Sequence, residues 1–189
     1  MTATTLTFDP PRAAPGAAVC AGRVLLLAGF VFGAANLFQW GVLGGALDLH
    51  PAFLALSWTL AVAVFMSGLF RLRRLGGEAA REIAGWSRAF ILAHVGVALV
   101  LAVISNAAGD WGLMRWNSVA GLMLYATGWA IAAVRTGTPN MGALCLVALA
   151  GAAAGALRFG TPDQYLIQAG ALALAALLPG LWLAFGRRL

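Results

Sequence analysis

The chain contains no lysine, and all its charge rests on twelve arginines and six acidic residues among 189 positions. Charged residues make up 10% of the sequence and hydrophobic residues 62%, whereas about a quarter of an ordinary soluble domain is charged. A soluble core of this size could not hide so much apolar surface, but a bilayer can. Only two cysteines occur, Cys20 and Cys145, in no CxxC or metal-ligand pattern, so no disulfide framework or zinc cluster is indicated. Both fall near the expected cytoplasmic ends of helices, where thiols stay reduced.

Catalytic signatures are missing as well. There is no P-loop, no Rossmann fingerprint, no zinc cluster and no GxSxG elbow. Phe90-x-x-x-His94 with Glu78 and Glu82 lacks the second histidine and paired carboxylates of an intramembrane metalloprotease. Met1 to Ala21 lacks the basic start and short apolar core of a signal peptide. Residues 1–22 therefore read as a flexible cytoplasmic tail, and 23–189 as a single transmembrane domain. The net charge of +6 does not point to nucleic acid, because the arginines sit at helix ends and in loops without interleaved aromatics. They read as topology signals and contacts to anionic lipid.

What is present is six apolar runs, at about 24–46, 52–70, 89–106, 117–135, 140–158 and 164–185, each near the length a helix needs to cross the hydrocarbon. Barrel strands would be shorter and alternating. The spacing thus predicts an all-α integral membrane fold of six transmembrane helices. Helix-start chemistry marks the breaks, at His50-Pro51, Thr138-Pro139-Asn140 and Thr161-Pro162-Asp163. Arg12, Arg23, Arg71, Arg73, Arg74, Arg81, Arg88, Arg135, Arg187 and Arg188 fall on one side of this plan, and only Arg115 and Arg158 on the other. The positive-inside rule then puts both termini in the cytoplasm. Arginine as the only basic residue, with alanine and glycine in abundance, suits a bacterium with a GC-rich genome, and hence a multi-pass protein of the inner membrane.

Three Gly-then-Arg helix ends alternate with turns built around Asp48, Asp110 and Asp163, which suggests three repeated helical hairpins. This cadence resembles that of small six-span families such as the HdeD-type acid-resistance membrane proteins, by spans and not by motifs, and it implies no residue roles. Gly29-x-x-x-Gly33, Gly41-x-x-x-Gly45 and Gly151-x-x-x-Gly155 allow close helix approach, within the bundle or between copies in a homo-oligomer or membrane complex. Pro179 is expected to kink the last helix.

Polar residues gather toward the outer end. Asn36, Gln39 and Trp40 precede Asp48 and His50; Asn106, Asp110, Arg115 and Asn117 surround the second outer turn; Arg158, Asp163 and Gln168 surround the third. Amides in hydrocarbon face a bundle interior or a wet cavity, so these residues form a candidate periplasm-facing pocket for a small polar ligand or lipid headgroup. The alternative is interface decoration, with amide contacts between helices and loop ion pairs such as Asp110 with Arg115. His94 is the ionisable residue inside a span, six residues past Arg88, hence about 9 Å from the cytoplasmic boundary at about 1.5 Å per residue. It is a candidate gate or proton site, or a structural imidazole. A haem held by His50 and His94 would need them to meet across one iron, yet on this plan they lie about 20 Å apart. Asp48-x-His50 has metal-pair spacing, but a solvated turn with an aspartate cap is the preferred reading of these residues. No catalytic residue, metal ligand set or cofactor is assigned. The expected function is a non-enzymatic binding, accessory or stress-related factor; the runner-up is a small transporter or channel subunit, and an enzyme or haem protein comes third.

Overall fold

Apolar runs of this length satisfy their own backbone hydrogen bonds only as helices, and the computed structural model, which describes residues 16–50, 52–75, 77–187 and 189, is helical wherever it is regular. Asp9, Arg12, Pro51, Gly76 and Arg188 lie outside the described residues. Helix α1 is Ala17–Leu43, α2 Ala52–Leu75 and α3 Gly77–Ala108. A single 3-10 turn, Trp111–Arg115, leads into α4, Trp116–Thr136. Then come α5, Pro139–Leu157, and α6, Asp163–Ala184. Each of the six is long and apolar enough to cross a membrane, the arrangement of a multi-pass membrane protein.

The helix ends follow local chemistry. Thr138 is extended and Pro139 opens α5, where its missing N–H would have had no partner. Gly137 closes α4 in the left-handed region, φ 66°, and its N–H bonds Ala133 O at 2.8 Å. The helices extend beyond the apolar runs in two stretches. The first helix begins at Ala17, because Ala17–Ala21 holds no helix breaker and continues the run that follows. The segment 71–88, between the second and third apolar runs, is helical on both sides of residue 76, since α2 runs to Leu75 and α3 starts at Gly77. Its charged residues decorate helix extensions, where side chains reach water while the backbone stays bonded.

Large apolar side chains face outward all around the bundle, among them Phe30, Leu99, Val103, Val134 and Leu157. Small residues face inward. Helix α1 lies at the centre, packed against α2, α3 and α6, and contributes Val24, Ala28, Phe32 and Ala35 to a core completed by Ala61, Phe65, Leu122, Ala152 and Leu172. The most extensive helix contacts join α4 to α5 and α1 to α6, so they cross the boundaries of the expected hairpins.

Glycine sets the α1–α6 seam. A Cβ on Gly29 would stand 2.7 Å from Leu177 N, and one on Gly180 would stand 2.5 Å from Leu26 N. A Cβ on Gly22 would collide with the backbone nitrogen of Ala184. The close approach therefore uses Gly22 and Gly29, seven apart, with Gly180 opposite. Gly33, the other half of the expected pair, has open space at its Cβ. In α5, Gly151 abuts Ala171 of α6, with 2.5 Å between the Cβ positions.

Helix α6 widens into a π-helical segment at Ala173–Leu177, immediately before Pro179. Pro179 has no N–H for the carbonyl four residues back, that of Ala175. The indole Nε1–H of Trp129 in α4 donates to that carbonyl at 2.8 Å. The expected kink is thus a π segment whose freed acceptor is taken by a neighbouring helix, the usual remedy for proline inside a bilayer.

Candidate functional site

Between α1, α3 and α4, with α2 and α6 behind, lies a cavity of about 400 Å³. Its lining runs along α1 from Ala21 to Asn36, along α3 from Glu82 to His94 and along α4 from Gly121 to Arg135. At a rise of about 1.5 Å per residue these stretches measure about 18–22 Å. A sphere of this volume would be only about 9 Å across, so the cavity is long and narrow.

Its two ends differ in chemistry. The exposed residues of the lining are Glu82, Trp86, Ile131 and Arg135, which places the mouth between the start of α3 and the end of α4. There the Arg135 guanidinium lies 5.0 Å from the centre of the Trp86 ring, a cation–π pairing suited to the boundary of hydrocarbon and water. The middle is aromatic and aliphatic. Phe32 lies between Phe65 (centroids 5.2 Å apart) and Trp58 (6.1 Å), and Trp58 in turn stands 6.4 Å from the His94 ring.

The far end is polar. Asn36 is fully buried; its Nδ2 donates to Phe32 O at 2.8 Å while its Oδ1 has no hydrogen-bond partner. His94 Nε2 is also buried without a partner. The imidazole fills the space over Gly121, where an added Cβ would be 2.7 Å from its Cε1 and 3.4 Å from the Gln168 amide nitrogen. Gly121 therefore makes room for the histidine and brings Gln168 beside it. Asn117, one turn before Gly121, is the polar neighbour of the ring on α4, and its Oδ1 is buried and unpaired too.

Gly121 lies five residues into α4 from the aspartate-bearing end, and Gln168 five residues into α6 from that same end. Helix α3 starts at Gly77, eleven residues before the Arg88 from which the depth of His94 was counted. The imidazole stands beside Gly121 and Gln168, with Arg88 six residues before it on α3.

Of the residues singled out at the outer end, the cavity gathers Asn36 and Gln168, and Asn117 stands against His94. Gln39 is buried elsewhere, with Nε2 donating to Leu54 O of α2 at 3.4 Å. Trp40 is half-buried outside the lining. Asp48, His50, Asn106, Asp110, Arg158 and Asp163 are exposed at the turns. In the first turn the cap comes from His50, whose Nδ1 accepts from Ala52 N at 3.2 Å, rather than from an aspartate. Asp110 caps the 3-10 turn through Gly112 N at 2.8 Å, and Arg115 donates to the Gly160 carbonyl, so the expected Asp110–Arg115 pair is replaced by two backbone contacts. Gln164, fully buried, ties the same corner by donating to Arg115 O at 2.8 Å and Ser118 Oγ at 2.6 Å. Among the described residues no three of His, Cys, Asp and Glu converge as metal ligands, and no disulfide joins Cys20 to Cys145.

Sequence reasoning missed the aromatic corridor. Trp58, Trp86, Phe90, Tyr125 and Trp129 look like any lipid-facing or core aromatic in a run of apolar residues. The available signal was weak: Gly121 and Gly128, seven apart, put the narrow side of α4 toward the cavity.

Fold and site together define a six-helix protein with an elongated apolar cavity that ends on buried polar groups. The chain matches no family model, and neither a curated protein nor a solved structure is detectably similar to it. The likeness of span cadence to known six-span families is accordingly not carried by any family match.

Proposed function

We propose that this is a non-enzymatic binding protein of a bacterial inner membrane, which holds a small amphipathic molecule in the cavity between α1, α3 and α4. The observation that carries this reading is the buried, unpaired Asn36 Oδ1 at the closed end of an otherwise apolar corridor. Unpaired polar atoms in a low-dielectric interior are costly, and a ligand that pairs them recovers that cost on binding. The volume lies in the range of small-molecule sites, which are mostly apolar with a few placed polar groups.

The distribution of arginine supports an orientation with both termini in the cytoplasm. The mouth at Trp86 and Arg135 then opens toward the cytoplasmic leaflet, and the polar end reaches toward the periplasmic side. A second recess of about 340 Å³, between α2 and α3, is lined by Arg73, Arg81 and Arg88, which suits the anionic lipid of that leaflet. The alternative of a transporter or channel subunit requires a polar path through the bundle. The lining instead stops at Asn36, Gly121 and Gln168, and none of the exposed residues of the outer turns belongs to it, which favours a blind binding site.

The test is native mass spectrometry of the protein released from mild detergent, beside Gly128→Leu. Gly128 lines the corridor, and its Cβ position meets only Phe90, at 3.6 Å, so leucine there fills the space without touching the polar end. A bound species of defined mass in the native protein that is absent from Gly128→Leu is expected. If both proteins fly bare, or carry the same lipids, the binding reading is wrong.

A further inference from the structure

The polar end of the cavity is selective for one kind of head group. Asn36 uses one N–H on Phe32 O and leaves its buried carbonyl oxygen, an acceptor, unpaired. His94 Nε2 donates or accepts according to tautomer. The Gln168 amide, against Gly121, offers both donor and acceptor atoms. No arginine lines this end, since the cation of the lining, Arg135, sits fourteen residues along α4 from Gly121, about 21 Å away at about 1.5 Å per residue.

A carboxylate or phosphate brought here would be a desolvated anion facing an acceptor oxygen, with no arginine among the lining residues of that end. A bare hydrocarbon end would leave Asn36 Oδ1 and His94 Nε2 unpaired. A neutral hydroxyl solves both problems, because its O–H donates to Asn36 Oδ1 while its oxygen accepts from His94 or Gln168. The narrow corridor of about 20 Å then takes an extended chain, which emerges between Trp86 and Ile131 into the bilayer.

Resting on the binding reading above, we infer that the cavity takes a long-chain lipid with a neutral hydroxyl head, a fatty or isoprenoid alcohol or a hydroquinone, inserted head first, and that it discriminates against the corresponding acid. Asn36 selects the head group, and Gln168 and His94 supply its second hydrogen bond.

The experiment uses the tryptophans of the lining, Trp58, Trp86 and Trp129, as reporters. The full-length protein in zwitterionic nanodiscs is titrated with a brominated long-chain alcohol, whose bromine quenches nearby indole. Unbrominated alcohol, alkane and carboxylate of equal chain length compete, at a pH where the acid is ionised. Saturable quenching is expected, with the alcohol competing at least about tenfold better than alkane or carboxylate, the factor that about 1.4 kcal/mol of pairing confers. Equal competition by alkane or acid overturns the head-group inference while the binding reading stands. Absence of saturable quenching overturns both. These comparisons need no variant; in Asn36→Leu, where that protein folds, the alcohol is expected to lose its advantage over the alkane while Gly128→Leu binds none of the three.

Discussion

Replacing Trp129 by phenylalanine removes one hydrogen bond and keeps an aromatic ring, which makes it a sharp test of why α6 widens at Ala173–Leu177. Trp129 is buried, and its Nε1 donates to the Ala175 carbonyl at 2.8 Å. That carbonyl is the one Pro179 cannot serve, four residues on. Inside a membrane bundle, side-chain hydrogen bonds measured by double-mutant cycles average about 0.6 kcal/mol and reach about 1.7 kcal/mol. Leaving a buried acceptor unpaired costs about 1–3 kcal/mol. Trp129→Phe is therefore expected to destabilise the protein by about 1–2 kcal/mol. Pro179→Ala supplies a backbone N–H to the same carbonyl, so in that background the loss should shrink by about 0.5–1.5 kcal/mol. The assay is reversible unfolding of purified protein in mixed micelles, titrated with a denaturing detergent, on the four members of the cycle. Strict additivity, within about 0.3 kcal/mol, would refute the idea that proline and tryptophan share one acceptor.

Three further outcomes are expected. Gly29→Ala should lower the thermal midpoint by the equivalent of about 1–3 kcal/mol of overpacking, since its Cβ would stand 2.7 Å from Leu177 N, while Gly33→Ala, with open space at the same atom, should be neutral or slightly stabilising; equal effects would place the α1 seam elsewhere. Gln164→Leu strips two hydrogen bonds from the Arg115–Ser118 corner and should cost about 1–2 kcal/mol of stability, with Ser118→Ala costing less; an unchanged melting curve for Gln164→Leu would show that the corner is not structural. In a background with Cys20→Ala and Cys145→Ala, Asp48→Cys should react with a membrane-impermeant thiol reagent added outside the cell, and reaction only from the cytoplasmic side would overturn the orientation.

The six helices were legible in the sequence because hydrocarbon imposes a minimum apolar length on each, and that length survives any rearrangement of neighbours. Asn36 and Gln168 were legible for a related reason: an amide in an apolar run must find a partner, so it points to the interior whatever the packing. His94 was legible as the ionisable residue of a span, while the start of its helix at Gly77, eleven residues before Arg88, was not. The helical backbone across most of 71–88 was not legible from the apolar runs either. Charge marks where side chains meet water and does not by itself stop a helix.

Composition and periodicity by themselves determined an all-helical, membrane-embedded chain with small residues at its helix contacts, since each of these is a property of one segment facing one solvent. Only the tertiary structure decided which glycines touch, that Gly121 leaves room for His94, that Trp129 completes the carbonyl Pro179 frees, and that the aromatics of four helices line one corridor. Those are relations between segments far apart in sequence. In lipid, an aromatic ring facing a cavity and one facing an acyl chain carry the same local pattern, so nothing short of the packed bundle tells them apart.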